Sequence, residues 1–340
     1  MYVRACWYVA AWENEIAREG LLARKILNES IVFLRKGDGS IAALEDRCCH
    51  RSAPLSLGHR EGDALRCGYH GLKFDCEGKC IEIPGQSRIP DAMRVKTYPA
   101  VLKHSWLWVW MGAPGNADVT LIPPVVGYDD PAYVLRGGQW DCAANYELIN
   151  DNLCDFSHVS FVHSNSFRVL EYSQVLPRIT RLERGIRVER WLSNSPHRPD
   201  WMAAGDTWQT YDYLAPGVLL MYSALYPEGT AARCSGSPDQ LEPLHANFSS
   251  QAITPVTDRL SRYFYSIGPR SSESDALESA ERIFAGVEQA FLEDKMMIEA
   301  QQRTIDSQGL KVTPIRNDRG PAQMRRVLER LHKEENAPGA

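Results

Sequence analysis

Two short stretches near the N-terminus combine cysteine and histidine at spacings typical of metal ligands. One residue separates Cys48 from His50, and two residues separate Cys67 from His70. Two thiolates and two imidazoles could hold one tetrahedral zinc ion, and the spacing alone allows that interpretation.

The order of these ligands favours a different metal group. Zinc fingers usually pair cysteine with cysteine and histidine with histidine, whereas each stretch here supplies one cysteine followed by one histidine. In a Rieske [2Fe–2S] cluster one iron takes two thiolates and the other takes two imidazoles, so each loop supplies one ligand to each iron. The pattern therefore predicts a Rieske cluster, with structural zinc as the alternative.

A second possible metal site follows at residues 155–163, where Asp155 precedes His158 and His163. Two histidines and one carboxylate on one face of a ferrous ion leave positions open for oxygen. Five residues on an ideal helix place two side chains about 140° apart, so the two histidines converge only if the helix ends or bulges between them. The carboxylate is either Asp155 or Asp294, which falls in an apolar helical stripe where an unpaired charge would be costly.

Each of these residues also has a structural interpretation. His158 and His163 could be satisfied core or surface histidines, and Asp294 could be an acid on the solvent side of its helix. Asn152, one turn before Asp155, could support a ligand or pack between helices.

The segments that must position these residues divide the chain into two domains. Residues 1–115 are rich in short strand-like runs separated by turns, which predicts a small all-β domain. A stretch containing proline, glycine and aspartate at 111–118 marks the boundary, so residues 116–340 form the second domain. The runs are Ile31–Leu34, Ile41–Leu44, Leu72–Phe74 and Trp106–Trp110.

The second domain mixes strands with helices. The hydrophobic pattern predicts helices over about Tyr146–Phe161, Ala276–Ser307 and Ala322–Lys333. The long central helix has its apolar residues at the spacing of one buried face. That face comprises Ile283, Val287, Ala290, Phe291, Met297 and Ile298.

Composition excludes several other classes of protein. The 340 residues carry a formal net charge of −5 without a dense basic cluster, which makes nucleic acid an unexpected partner. Neither a membrane-spanning run nor a secretory leader is expected, which favours the cytoplasm. Nine cysteines, an odd number, argue against a disulfide framework. Besides Cys48 and Cys67 we interpret the other seven, Cys49 included, as packing residues.

These motifs together resemble the Rieske non-haem iron aromatic-ring oxygenases, over nearly the whole chain. The resemblance rests on Cys6–Trp12, the two cysteine–histidine stretches, the NxxDxxHxxxxH run at 152–163 and the distant Asp294. It is strongest to the short oxygenase components that include vanillate O-demethylase, toluenesulfonate methyl-monooxygenase and dicamba O-demethylase. It implies an α+β fold, with an N-terminal all-β Rieske domain and a C-terminal helix-grip-like antiparallel sheet with helices.

The resemblance also assigns roles to residues. It implies that Asp294 completes the iron site, and that Asp155 links the two metal centres by hydrogen-bonding His70 and His158 across the subunits of a homotrimer. Asn152 is left as a supporting or helix-packing residue. The implied cluster ligands are Cys48, His50, Cys67 and His70, and the implied iron ligands are His158, His163 and Asp294.

The implied reaction uses O2 and two electrons from NAD(P)H to oxygenate an aromatic acid, by O-demethylation with release of formaldehyde or by hydroxylation of a methyl group. N-dealkylation or ring hydroxylation by the same metals is an alternative. A Rieske electron carrier without oxygen chemistry is an alternative of another class. The chain lacks a strand–GxGxxG–helix fingerprint for a dinucleotide, so a separate reductase, with or without a ferredoxin, must deliver the electrons.

The substrate pocket is expected beside the iron. We expect its walls to come from strand residues at 211–226 and 248–253 and from the helix face at 283–289. The residue that would anchor an acidic substrate is not evident from the sequence.

Overall fold

The structure is a computed structural model that describes residues 1–163, 166, 169–194, 203–234 and 236–337. Its fold is α+β, which confirms the predicted class. It divides into two compact units, Met1–Ile122 with Thr254–Thr257, and Pro123–Ile253 with Asp258–Ala340. The division falls after Ile122 rather than after residue 115. The sequence pattern also does not indicate that 254–257 belong to the first unit.

The first unit consists of short antiparallel strands in three sheets. The sheet orders are β1–β10–β9, β2–β3–β4 and β5–β6–β7–β8. The strands are β1 Trp7–Trp12, β2 Leu22–Ile26, β3 Glu29–Arg35, β4 Ile41–Glu45, β5 His59–Glu61, β6 Ala64–Arg66, β7 Lys73–Phe74, β8 Cys80–Glu82, β9 Ala100–Lys103 and β10 Trp106–Trp110.

Tryptophans fill the core of the first sheet. All five residues of β10 are buried, so both faces of this central strand are covered. The ring of Trp110 lies 5.6 Å from that of Trp7, and the ring of Trp106 lies 5.4 Å from that of Trp12. These residues pair across β1 and β10, so the aromatic run at 106–110 is a packing element.

The second unit is built on a seven-stranded antiparallel sheet of order β11–β17–β16–β15–β14–β13–β12. Its strands are β11 Arg136–Cys142, β12 Arg178–Leu182, β13 Gly185–Leu192, β14 Asp206–Leu214, β15 Val218–Tyr226, β16 His245–Thr257 and β17 Leu260–Pro269. The α-helices are α1 Tyr146–Cys154, α2 Val159–Val162, α3 Glu171–Gln174, α4 Thr230–Arg233, α5 Ala276–Gln308 and α6 Arg319–Glu335.

The first predicted helix is not continuous. It ends at Cys154, because Asp155 has extended backbone angles of φ −136° and ψ 99°. The carboxylate of Asp155 accepts a hydrogen bond from the Ser157 N–H, which caps a new 3-10 turn over Phe156–His158. The short α2 follows and ends at His163 (φ −93°, ψ 35°). The prediction that the helix ends or bulges between the two histidines is confirmed by the end of α2 at Val162, whereas the break at Asp155 lies before His158 and was not predicted.

The long helix α5 has nearly the predicted bounds. It packs against β17 and β11 and buries Val287, Phe291, Asp294 and Ile298, which follow one another at helical spacing. The prediction was wrong for Met297, which is 53% exposed because it lies about 100° around the helix from Ile298. Among the described residues, no helix combines the length and the apolar character needed to cross a membrane.

Candidate metal centres

The two cysteine–histidine loops of the first unit have the same backbone hydrogen bonding. In each loop the cysteine N–H donates to the carbonyl five residues later, and the cysteine carbonyl accepts from the N–H four residues later. The residue at that fourth position has a left-handed backbone in both loops. The bonds are Cys48 N to Ala53 O (2.8 Å), Ser52 N to Cys48 O (2.9 Å), Cys67 N to Leu72 O (2.8 Å) and Gly71 N to Cys67 O (3.0 Å), with φ +58° at Ser52 and +72° at Gly71.

The loops separate their ligands by type. Cys48 and Cys67 are 3% and 2% exposed, and burial together with the neighbouring Cys67 thiol raises the pKa of Cys48 to about 11. His50 and His70 lie on the exposed side with their ring centroids 4.7 Å apart. Two adjacent buried thiols and two adjacent exposed imidazoles match a cluster in which each iron takes one kind of ligand.

The zinc alternative requires all four donor atoms to converge on one ion. Ligands at zinc bond lengths of about 2.0–2.3 Å lie within roughly 4 Å of one another. In the described part of the chain, the one group of three or more such ligand atoms within 4.8 Å of one another lies elsewhere, in the second unit. The four loop residues therefore fit a two-iron cluster better than a single ion.

Close packing holds the second loop. A Cβ at Gly68 would lie 2.8 Å from the carbonyl oxygen of Leu57, so only glycine fits there. The Tyr69 ring lies 3.9 Å from that of His70 and restricts its orientation. Close packing therefore restricts both the backbone of this loop and the orientation of the His70 ring.

The remaining cysteines confirm the packing interpretation only in part. Four are buried, namely Cys6, Cys80, Cys142 and Cys154. Cys76 and Cys234 are partly exposed, and Cys49 is exposed although it neighbours a ligand. The packing interpretation is wrong for Cys49, because its side chain is exposed to solvent.

A second cluster of ligands lies in the second unit, where α2 and α5 meet. One nitrogen from each of His158 and His163 and one oxygen from Asp294 lie within 4.8 Å of one another. The Nε2 atom of His158 is 3.4 Å from Asp294 Oδ1, and Nε2 of His163 is 3.4 Å from Asp294 Oδ2. The donor set is two imidazoles and one carboxylate, which suits ferrous iron with open positions.

Hydrogen bonds donated by Nδ1 orient both imidazoles so that their Nε2 atoms face Asp294. His158 Nδ1 donates to the backbone carbonyl of Asp155 (2.6 Å), and His163 Nδ1 donates to Glu293 Oε2 (3.0 Å). Because Nδ1 carries the proton in this arrangement, the Nε2 lone pair of each ring is left for a metal.

Asn152 supports the carboxylate. Its Nδ2 donates to Asp294 Oδ1 at 3.0 Å, so it acts on the ligand and is more than a packing residue. Asp155 differs from the expectation, because its carboxylate accepts from the N–H and the hydroxyl of Ser157 (2.8 Å each) and contacts His158 only through the backbone carbonyl.

Glu293 was missed by the sequence analysis. It is 7% exposed and accepts hydrogen bonds from His163 and from the hydroxyl of Ser166 (2.8 Å). Helical periodicity gave no reason to select it, since it stands one residue from Asp294 and outside the apolar stripe.

The two histidines differ in their electrostatic surroundings. Burial is the largest influence at His158 and lowers its pKa below the ordinary value, despite the nearby Asp294. At His163 burial acts the same way, but hydrogen bonds and charges from Asp294 and Glu293 outweigh it and raise the pKa. His163 is therefore the ring that interacts more strongly with carboxylates.

A cavity of about 310 Å³ adjoins this cluster, and all three ligands line it. The expected walls are present in part, because Met221, Gln251 and Ile283 line the cavity. Contributions from α1, the 3-10 turn, β14 and the start of β16 were not expected. They include Leu153, Phe156, Gln209 and Asn247. The lining is apolar with a few placed polar groups, as in small-molecule sites.

Comparison with known proteins agrees with this geometry. Residues 6–99 match the Rieske [2Fe–2S] domain, and residues 142–334 match the vanillate O-demethylase oxygenase C-terminal domain. The iron–sulfur subunit of the toluene-4-sulfonate monooxygenase system of Comamonas testosteroni is 38% identical over 99% of both chains.

Two further relatives cover nearly the whole chain. The vanillate O-demethylase oxygenase subunit of a Pseudomonas species (strain HR199) is 34% identical over 97% of this chain and 95% of its own. The crystal structure of dicamba monooxygenase bound to 3,6-dichlorosalicylic acid superposes with a TM-score of 0.87, at 28% identity over 99% of both chains.

The chain belongs to the Rieske non-haem iron oxygenases, among the oxygenase components related to vanillate O-demethylase. It is a monooxygenase component that uses a Rieske [2Fe–2S] cluster and a mononuclear non-haem iron. The relatives are named as subunits of larger oxygenase systems.

Proposed function

We propose that this oxygenase inserts one oxygen atom into a methyl or methoxy C–H bond of an aromatic acid. The convergence of His158, His163 and Asp294 on the wall of a mainly apolar cavity of about 310 Å³ carries this proposal. A cavity of this size suits a single aromatic ring with small substituents. A hydroxylated methoxy group is a hemiacetal and collapses to a phenol and formaldehyde, whereas a hydroxylated methyl group remains as the alcohol.

We assign the cluster to Cys48, His50, Cys67 and His70, and the iron to His158, His163 and Asp294. When bound, the cluster would supply single electrons and the iron would activate O2, so that one oxygen atom enters the C–H bond and the other leaves as water with two electrons from NAD(P)H and two protons. Asn152 and Glu293 hold the carboxylate and one imidazole in position. The apolar lining excludes water from the substrate.

We assign the electron link to Asp155, whose backbone carbonyl accepts from His158 Nδ1 (2.6 Å), acting between this histidine and His70 of another copy in a homotrimer. Exposed apolar side chains on α2 and α5 support such an assembly. Phe161 is 71% exposed, and Leu292 and Met296, one turn apart on α5, are 59% and 66% exposed. Because α2 and α5 pack together, these side chains offer apolar surface to a second copy.

The electrons come from NAD(P)H through the separate reductase, directly or through a ferredoxin. This supply is consistent with the cytoplasm, where reduced nicotinamide is available.

The test is turnover by the anaerobically purified chain with a reductase and NADH. We expect formaldehyde from vanillate, or the benzylic alcohol from 4-toluenesulfonate, in proportion to NADH consumed. Asp294→Ala is the matched control and should give neither product. Ring hydroxylation with the methyl group intact, or electron transfer without any oxygenated product, would contradict the proposal.

A further inference from the structure

A row of polar side chains crosses the sheet beside the cavity. Arg190 of β13 pairs with Gln209 of β14, Gln209 pairs with Ser223 of β15, and Ser223 pairs with Asn247 of β16. Residues directly opposite in an antiparallel sheet have their side chains on the same face. Because Gln209, Ser223 and Asn247 all line the cavity, this face is the one that bounds it, and Arg190 stands at the end of the row.

Arg190 is a buried cation without a carboxylate. It is 4% exposed, its Nε atom has no hydrogen-bond partner, and it forms no ion pair with any residue that the structure describes. Its guanidinium carbon lies 5.3 Å from the Tyr172 ring centre and 5.8 Å from that of Phe156, and both rings line the cavity. Cation–π contacts offset part of the cost of burying this charge, but they do not neutralise it.

The other cationic side chains of the cavity lining already have acidic partners. Arg282 lies 3.2 Å from Asp275 and 3.4 Å from Glu278. His245 lies 3.2 Å from Glu273. In the described part of the lining and the row behind it, the positive charge left uncompensated is therefore that of Arg190.

Gln209 connects the charge to the cavity. Its side chain lies between Arg190 and Ser223 in the row, and its Nε2 donates to the hydroxyl of Tyr172 (2.8 Å) and to Sδ of Met221 (3.4 Å), so both amide hydrogens are engaged. The Ser223 hydroxyl and the Asn247 amide offer hydrogen-bond donors to a ligand, and Arg190 at the end of the row supplies a positive potential in a medium of low dielectric constant.

We propose that this row is the subsite for the anionic group of the substrate, a carboxylate or sulfonate on the aromatic ring. Ser223 and Asn247 contact the anion, and the charge of Arg190 determines the preference for an acid over a neutral analogue. The inference rests on the proposed function and specifies how that site selects an aromatic acid.

The test measures equilibrium binding to the iron-loaded chain by calorimetry under anaerobic conditions, without reductase. The probes are 4-toluenesulfonate against 4-toluenesulfonamide, and 4-methylbenzoate against 4-methylbenzamide. Arg190→Met should weaken binding of the two anions about tenfold or more and change the amides by less than about twofold. Arg190→Lys should restore most of the anion affinity, because it keeps the charge.

Arg282→Met is the matched control, since it removes a cation that is already paired and should affect anionic and neutral probes alike. Equal weakening of both probes by Arg190→Met, or an anion-selective loss in Arg282→Met, would overturn the proposal. If Arg190→Met does not fold, Ser223→Asp places a negative charge in the row. It should then selectively abolish anion binding, and an equal effect on the amides would contradict the inference.

The proposed function and the proposed anion subsite can be contradicted independently of each other. A chain that binds the anions through Arg190 but oxidises no methyl or methoxy group contradicts the proposed function alone. A chain that oxidises methyl groups of acids and amides equally well contradicts this inference alone.

Discussion

The two metal centres are built in opposite ways. The cluster loops are local, since each is closed by its own backbone hydrogen bonds within six residues. The iron site joins side chains distant in sequence, with a separation of 142 positions for Asn152 and Asp294 and of 130 positions for His163 and Glu293. The loop imidazoles are exposed, whereas His163 and Asp294 are buried.

This difference matches the chemistry assigned to each centre. An electron-transfer group must be reached from outside, so exposed imidazoles on a rigid loop suit it. Oxygen chemistry needs a substrate held away from water, so the iron ligands lie on a cavity formed by the packing of helices on a sheet. Substitutions in the cluster loops should therefore change the stability of the loop that carries them. Substitutions around the iron site should act by displacing the iron ligands.

The largest effect is expected at Asp294. Asp294→Ala removes one of the three ligands assigned to the iron. We therefore expect loss of the mononuclear iron and a decrease in product formation of about a hundredfold or more. Metal analysis should show that the cluster is retained. Glu278→Ala, which alters an exposed acid on the same helix, should keep its iron. Loss of the cluster together with the iron would mean that the two centres are not independent.

The next effect concerns electron transfer. In Asp155→Asn the amide oxygen can still cap the turn through Ser157, so the fold and both metals should remain while the negative charge is lost. We expect NADH-coupled turnover to fall about tenfold or more, in line with losses at residues that support metal ligands. Near-normal turnover would show that Asp155 is not the electron link.

A smaller effect is expected at Glu293, which positions His163. Glu293→Leu leaves the Nδ1–H of His163 without its acceptor, and iron affinity should fall about tenfold to a hundredfold. Glu293→Gln keeps an acceptor and should lose less. Competition with an iron(II) chelator measures both. Equal affinity in the leucine variant and the wild type would contradict a positioning role.

The smallest effects are expected in the loops. Gly71 has φ +72°, and a Cβ there would lie 2.9 Å from Pro84 Cγ, so Gly71→Ala should destabilise the loop by about 1–3 kcal/mol. Ser52 occupies the equivalent position at φ +58°, where glycine is better suited, so Ser52→Gly should be neutral or raise stability by up to about 1 kcal/mol. The temperature at which cluster absorbance is lost measures both, and the same sign of change in both variants would contradict the equivalence of the loops.

The contrast between local cluster loops and an iron site built from distant residues also determines what could be predicted from sequence. Cys48, His50, Cys67 and His70 could be grouped because short spacing within a loop fixes which side chains meet. His158 and His163 could be selected by type, and geometry required the helix to end or bulge between them, which the end of α2 at Val162 provides. Asp294 was one of two candidates until the family resemblance decided between them, since pattern analysis does not show which distant helix packs beside α2.

Residues that act through tertiary contacts were beyond sequence reasoning. Glu293 and Arg190 carry no spacing signal, and their roles follow only from what they face once α5 and β13 are in place. The exposure of Met297 and the break at Asp155 arise from small shifts in helical phase and local capping. A periodicity averaged over many residues does not resolve either.

The central claim is that one chain carries two different iron centres. Its most direct test is iron, zinc and acid-labile sulfide analysis of the anaerobically purified chain, with an absorption spectrum before and after dithionite. The account predicts about three irons and two sulfides per chain, with visible bands that bleach on reduction. Zinc in the loops, or a cluster with no third iron, would contradict it.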